Sequence, residues 1–318
     1  MAFDGTRRFG GVARLYGEAG AARLRGAHVA VVGIGGVGSW CAEALARTGI
    51  GRLTLIDLDM LAESNANRQI HALDDLWGKA KVEAMKERIA AINPACRVAC
   101  VEDWITPENV GNYLAGDYSV VIDAIDQARA KVAMIAHCQR RGVAIVVAGA
   151  AGGQVDPTRI KLADLSQTIQ DPLLAKVRAQ LRRDHGFPRG GKKFGVSAVF
   201  STEPLRYPIA DARAVLVQAP NTVRAEPVEA RLKPPYSALR TVLRQAQDER
   251  ECKDLNRKRA NCAIPAGPMG LNCAGFGSSV CVTSVFGMVA AARAIELITA
   301  DQATPVAPAC STQYPSPE

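Results

Sequence analysis

Short apolar runs alternate with longer stretches of helical periodicity over the first half of the chain. Residues 27–32, 53–56, 98–101, 120–122 and 144–148 are runs made almost wholly of Val, Ile, Leu and Ala, with His28, Thr54 and Cys100 the exceptions. Such runs predict strands buried on both faces, because a strand open to water on one side would alternate apolar and polar positions. Between them, residues 39–48 place Ala42, Leu45 and Ala46 on one helical face, and Gly49 ends the element. Residues 79–92 form a second amphipathic helix, closed by Asn93-Pro94, and 130–140 a third. The alternation predicts an α/β fold with a mostly parallel central sheet covered by helices.

Beyond about residue 155 the periodicity loosens. Residues 173–193 are rich in Lys and Arg, and residues 209–262 mix charge and proline with little period. The expected organisation is a nucleotide-binding domain over 1–208, with a basic crossover segment near 173–193. Residues 209–262 read as an insertion, loop or disordered, which adds little closure entropy at a surface. Within it, 223–230 and 243–250 resemble translated interspersed repeats of some bacterial genomes; a functional basic arm is the other reading. A returning C-terminal part of the core is expected over 263–300 and a tail over 301–318.

Composition narrows the classes. The chain has 318 residues, 48% hydrophobic content and a net charge of +8, enough for a sizeable core and suited to an anionic partner. Nine cysteines lie at irregular spacings without a Cys-x-x-Cys pair, which argues against a zinc ribbon and fits reduced thiols in the cytoplasm. The start, Met1-Ala2-Phe3-Asp4, lacks a secretion signal. Residues 280–298 are strongly apolar but interrupted by Arg293 and Glu296. A buried helix, or a strand and helix, is favoured there over membrane association.

Chemistry begins at Gly33, Gly35, Gly36 and Gly38, directly after the first strand and opening a helix. This spacing lets backbone N–H groups approach a phosphate at a helix N-terminus and predicts a Rossmann-like nucleotide-binding fold with a C-terminal extension. Asp57, 19 residues after Gly38, ends the next strand, where a carboxylate can hold ribose hydroxyls. Taken alone, this is also the NAD or FAD fingerprint, and a tight turn without a ligand would look similar. The next residues point to a triphosphate. Asp59, Ser64, Asn65, Asn67, Arg68 and Gln69 follow the second strand, then Lys79 and Lys81 open a helix. Guanidinium and amide donors meet the charge that develops when a triphosphate is attacked. Lys79 by itself reads as a solvated charge. Asp123 and Asp126 lie past the next apolar run, at the sheet edge where open α/β sheets hold ligands. A carboxylate there suits magnesium.

These residues resemble those of the ubiquitin-activating-enzyme-like adenylyltransferases, the ThiF/MoeB/HesA type. The resemblance implies ATP held over Gly33, Gly35, Gly36 and Gly38, with Asp57 on the ribose. It assigns Asn65, Arg68, Gln69 and Lys81 to the phosphates and Asp126 to Mg2+, with Asp59 and Asp123 in the same site. Arg68, Lys81 and Asp126 are the expected catalytic residues. Gln127 stands where the family usually has Asn.

Residues 8–17, 149–158 and the blocks 193–196 and 200–203 resemble a narrower group, the tRNA threonylcarbamoyladenosine dehydratases. The match covers about 7–208 and resumes at 272–295. It implies ATP-dependent cyclisation of threonylcarbamoyladenosine in tRNA to a hydantoin, through an acyl-adenylate. The alternative is adenylation of the C-terminus of a sulfur-carrier or ubiquitin-like protein. The implied partners are tRNA rather than DNA and a second copy in a homodimer, with Arg14 a candidate to reach across. A sulfur-transfer partner and a monovalent cation stay open. Lys176, Arg178, Arg182, Arg183, Lys192 and Lys193 are the candidate tRNA contacts, with His185 and Phe187 as stacking residues. No cysteine lies between Cys138 and Cys252, which argues against a crossover thioester. Cys262 and Cys273 are the remaining candidates for a role.

Overall fold

A computed structural model describes residues 3–207, 215–216 and 276–300. The expected insertion, except for Val215 and Leu216, and the tail over 301–318 lie outside the described residues, as do Cys252, Cys262 and Cys273.

Strands β1 (His28–Val32), β2 (Arg52–Ile56), β3 (Arg97–Val101), β4 (Val120–Asp123) and β5 (Ala144–Ala148) match the apolar runs. With β6 (Ile160–Asp164) and β7 (Ser197–Ser201) they form one sheet, ordered β3-β2-β1-β4-β5-β7-β6. All neighbours are parallel except β6 against β7. The chain leaves β1 in one direction and returns to its other side at β4, so a crevice opens between their carboxyl ends. A short antiparallel pair, β8 (Arg206–Tyr207) and β9 (Val215–Leu216), stands apart.

Each strand feeds two cores. Val29 and Val31 of β1 face one layer, Ala30 and Val32 the other. The first layer holds α1 (Gly5–Gly26), α2 (Gly38–Arg47), α3 (Lys81–Ile92) and the C-terminal helix, numbered α7 below (Val280–Thr299). The second holds α4 (Val110–Tyr113), α5 (Ala128–Arg141) and α6 (Pro172–Asp184). Glu43 on α2 is buried and bridges Arg47 at 2.8 Å and Arg88 of α3 at 2.7 Å, tying those helices together.

Helix α7 is long and apolar enough to cross a membrane. It instead buries Val282, Phe286, Ala290, Ala294 and Ile295 against the first core. At Gly287 an added Cβ would lie 2.4 Å from the Val37 carbonyl oxygen, so the helix backbone rests directly on the start of α2. The buried-helix expectation for 280–298 therefore holds for one face, and no strand precedes it among the described residues.

Candidate active site

The turn after β1 is shaped by close backbone approach. Gly33 has φ +87°, and a Cβ there would meet the Ala124 carbonyl oxygen at 2.9 Å. A Cβ on Gly38 would sit 1.7 Å from the Gly33 carbonyl oxygen, which no side chain tolerates. Gly35 faces open space. Gly36 lies under the Arg68 stem: a Cβ there would sit 3.2 Å from Arg68 Cγ and 3.4 Å from Thr283 Cβ of α7. The turn thus brings the N-terminus of α2 to the crevice, where the Ser39 and Cys41 N–H groups are already bonded to the Gly35 and Val37 carbonyls at 3.1 Å.

Asp57 directly follows β2 and is nearly buried. Its Oδ2 accepts the Ile34 N–H at 2.6 Å and its Oδ1 the Asp59 N–H at 2.9 Å. Burial pushes its carboxyl up, while Lys81 and these two donors pull it down. A carboxylate has about four acceptor sites, so two stay open for hydroxyls. Lys81 is the first residue of α3, with its side chain only 6% exposed, and its Nζ donates to Asp59 Oδ2 at 2.6 Å. Asp59 is 54% exposed, so it presents the pair to the crevice. Lys79 pairs with Glu87 on the surface at 2.5 Å, as its solvated reading expects.

The polar cassette folds into a short turn. Asn65 Oδ1 accepts the Ala62 N–H at 3.1 Å, so this side chain caps the turn. Arg68 Nη1 donates to Ser64 O at 2.7 Å and Asn67 Oδ1 at 2.8 Å. Trp40 of α2 donates to the Arg68 carbonyl at 2.9 Å, which ties the cassette to the glycine turn. Gln69 is buried with Oε1 unpartnered. Ser39 Oγ, in the first turn of α2, is likewise buried and unpartnered. His71 is buried beside Lys81 and Arg88, and burial followed by those charges lowers its imidazole to about 4.

Asp123 and Lys131 form a pair in which both side chains are 0% exposed. Lys131 Nζ donates to Asp123 Oδ1 at 2.9 Å and to the Ala148 carbonyl at 2.7 Å, bolting the ends of β4 and β5 together. Asp123 Oδ1 also accepts the Ile125 N–H at 3.3 Å, one residue before Asp126. Burial raises the Asp123 carboxyl, with Lys131 opposing. Its Oδ2 is buried without a partner. Asp123 is therefore a support beneath the crevice rather than an exposed ligand, whereas Asp126 is half-exposed. The Ala124 N–H donates to Val32 O at 2.8 Å, so the segment leading to Asp126 lies against Gly33. Lys131 escaped the sequence reading because a lysine on an amphipathic helix usually faces water. Its only signal is register, since Ile135 and Cys138 follow on the same face.

The returning segment forms the remaining wall. Asn67 Nδ2 donates to Ser278 O at 3.3 Å, and the Gly153 N–H donates to Gly277 O at 2.8 Å. Phe276 packs on Gly153. Sequence reasoning aligned this segment but gave it no place in the site.

The basic segment divides. Asp171 caps α6 through the Leu174 N–H at 2.9 Å. Lys176, Lys192 and Lys193 are exposed. Arg178 donates to the Thr168 hydroxyl. Arg182 lies over the Phe194 ring at 5.1 Å, and Phe187 meets the same ring edge-on at 5.1 Å. Arg183 makes two bonds to Asp184 at 2.7 and 2.9 Å. Arg178, Arg182 and Phe187 are thus occupied in local packing, while His185 is exposed.

Comparison with known proteins places this geometry. The family model described as ThiF matches residues 10–313. The tRNA threonylcarbamoyladenosine dehydratase of Escherichia coli K12 is 46% identical over 93% of this chain and 95% of its own length. The protein of that name from Haemophilus influenzae is 55% identical over 64% of this chain and 78% of its own. Among solved structures, the E. coli tRNA N6-threonylcarbamoyladenosine dehydratase TcdA in complex with ATP is 42% identical. It covers 94% of this chain and 97% of that one, with a TM-score of 0.70. The same enzyme in complex with AMP gives equal values. On these matches, the chain belongs to the ThiF family.

Proposed function

We propose that this chain uses ATP to cyclise threonylcarbamoyladenosine in tRNA. The observation that carries the reading is the grouping of Arg68 on Gly36, of the segment leading to Asp126 on Gly33, and of Lys81 on Asp59 beside Asp57, in a chain similar over 93% of its length to the E. coli dehydratase of that name. Unpartnered buried atoms on Ser39 and Gln69, beside the turn, fit a site built to receive polar groups.

The phosphates lie over the amides of α2, and Asp57 accepts from the ribose. Arg68 and Lys81 meet the charge that develops as the threonyl carboxylate attacks the α-phosphorus. That P–O bond forms as the bond to pyrophosphate breaks. A carbamoyl nitrogen then attacks the acyl carbon, AMP leaves with the bonding pair, and the nitrogen gives up its proton. Because this nucleophile belongs to the substrate, proximity replaces an enzyme thiol. Burial pushes Cys41, Cys100 and Cys138 up to about 12 and Cys96 to about 11, far from a reactive thiolate. Magnesium takes one or two carboxylates plus phosphate oxygens. Asp126 fits that donor set, and no all-protein cluster of three or more ligands occurs among the described residues. The ion would neutralise phosphate charge. The same reading carries a homodimer acting in the cytoplasm.

The test is mass spectrometry of nucleosides from threonylcarbamoyladenosine-bearing tRNA incubated with ATP, with and without the protein. The expected result is the cyclic nucleoside together with AMP. AMP formed only with a carrier protein ending in Gly-Gly would instead support the sulfur-carrier reading, for which more distant adenylyltransferase relatives speak.

Exposed lysines are the better tRNA probe than the packed arginines. Changing Lys176, Lys192 and Lys193 together to Glu should weaken tRNA binding at least about tenfold and flatten its salt dependence. ATP affinity should not move. Filter binding at two salt concentrations reads both, and an unchanged tRNA affinity removes this surface from the proposal.

A further inference from the structure

Residues 149–156 follow β5 at the ligand edge of the sheet and are pinned at several points. The Ala150 N–H donates to Asp171 Oδ2 at 2.9 Å. The Val155 and Asp156 N–H groups donate to Glu203 Oε2 at 3.0 and 2.9 Å. Between these pins sits Gln154, 3% exposed. Its Nε2 donates to the Ala150 carbonyl at 3.1 Å. That bond fixes which end of the amide is nitrogen, since two carbonyl oxygens would repel. Its Oε1 is buried and has no hydrogen-bond partner. Buried acceptors are normally satisfied, so a rigidly held exception calls for a donor from elsewhere.

The position of Gln154 suggests the donor. Its neighbour Gly153 is bonded to Gly277, and the next residue, Ser278, is bonded to Asn67. Asn67 in turn accepts a bond from the head of Arg68, whose stem covers Gly36. This loop, the returning segment and the cassette therefore form one continuous hydrogen-bonded wall that reaches the glycine turn at Gly36.

Building on the tRNA-cyclisation reading, we propose that Gln154 Oε1 accepts a hydrogen bond from a carbamoyl N–H of the substrate. The bond turns the other carbamoyl nitrogen toward the activated carboxyl carbon. Gln154 is then the residue that selects an N-carbamoyl acid over a simple carboxylic acid, because an acid without that N–H leaves the acceptor unpaired.

Two variants of the full chain test this, Gln154→Met and Gln154→Glu. The readouts are kcat/KM for the cyclic nucleoside, AMP released per cyclic product, and ATP affinity. Gln154→Met should lower kcat/KM about tenfold, the effect of one lost buried hydrogen bond. It should also raise the AMP-to-product ratio, because water captures a misaligned acyl-adenylate, while ATP affinity stays within about twofold. Gln154→Glu keeps an acceptor and loses the donor to Ala150, so it should stay coupled. If both variants uncouple alike, loop anchoring is the cause and the proposal is overturned. A fall in ATP affinity parallel to kcat/KM would assign the acceptor to the nucleotide and overturn it equally. Wild-type protein that makes no cyclic nucleoside would instead sink the tRNA reading itself.

Discussion

Arg68→Ala is expected to slow AMP formation about 10²- to 10³-fold while the protein stays folded. The side chain is not a core element. Its stem covers Gly36, and among the described residues its head bonds to Ser64 O and Asn67 Oδ1 alone. The bond from Trp40 goes to the backbone carbonyl, which alanine keeps. What alanine removes is a guanidinium already held in place by Ser64 O and Asn67 Oδ1, so that little reorganisation is needed as charge builds on the α-phosphate. Arg68→Lys should recover little, because a point charge cannot reproduce the planar fork. Single-turnover release of AMP and pyrophosphate from threonylcarbamoyladenosine-bearing tRNA measures this. Rates within about threefold of wild type would show that Arg68 is not in the reaction.

Lys131→Met should cost about 3–5 kcal/mol of stability, because it leaves the Asp123 carboxylate buried without its partner. The loss has a pH signature. Burial already raises the Asp123 carboxyl and Lys131 opposes that rise. Without Lys131 the native state keeps a proton that the unfolded chain releases, so stability falls as pH rises. Urea unfolding of the variant at pH 5 and pH 8 should show the larger deficit at pH 8. Adding Asp123→Asn removes the buried charge and should recover much of the stability, but not the bond from Lys131 to the Ala148 carbonyl. A pH-independent deficit would mean that packing, not the ion pair, is what Lys131 supplies.

The sheet from β1 to β5 is legible in the sequence because its strands are buried on both faces. Unbroken apolar runs such as Val120-Val121-Ile122 survive as a signal without any alternation. Helix α1 is not legible. Gly10, Gly11, Gly17 and Gly20 dilute its periodicity, and Gly17 breaks the helical backbone with φ 73° and ψ 162°. Gly20 is nonetheless buried, with Tyr16 Cβ 3.0 Å from where its Cβ would be. Strands β6 and β7 escape for another reason. Ser197 and Ser201 bracket only three apolar residues, and Lys161 sits in an edge strand open to solvent.

Site residues follow the same division. Gly33, Gly38 and Asp57 occupy positions that local spacing predicts, whereas Lys81 is told apart from Lys79 only by the family resemblance. The interior role of Asp123, the Lys131 bolt, and the use of Arg182 and Phe187 in packing depend on tertiary neighbours that no local pattern encodes.

Gly153 meets the chain twice. Its carbonyl accepts the Arg206 N–H at 2.8 Å, and its N–H donates to Gly277 O at 2.8 Å. Everything between positions 207 and 276 therefore leaves from and returns to one residue. A stretch whose two ends are clasped together can lengthen at little entropic cost, about 0.6 kcal/mol for each doubling. Relatives are thus free to differ greatly in length at this junction without displacing the wall that Gly153 anchors. Grafting or trimming sequence there offers a route to new substrates that leaves the adenylating chemistry untouched.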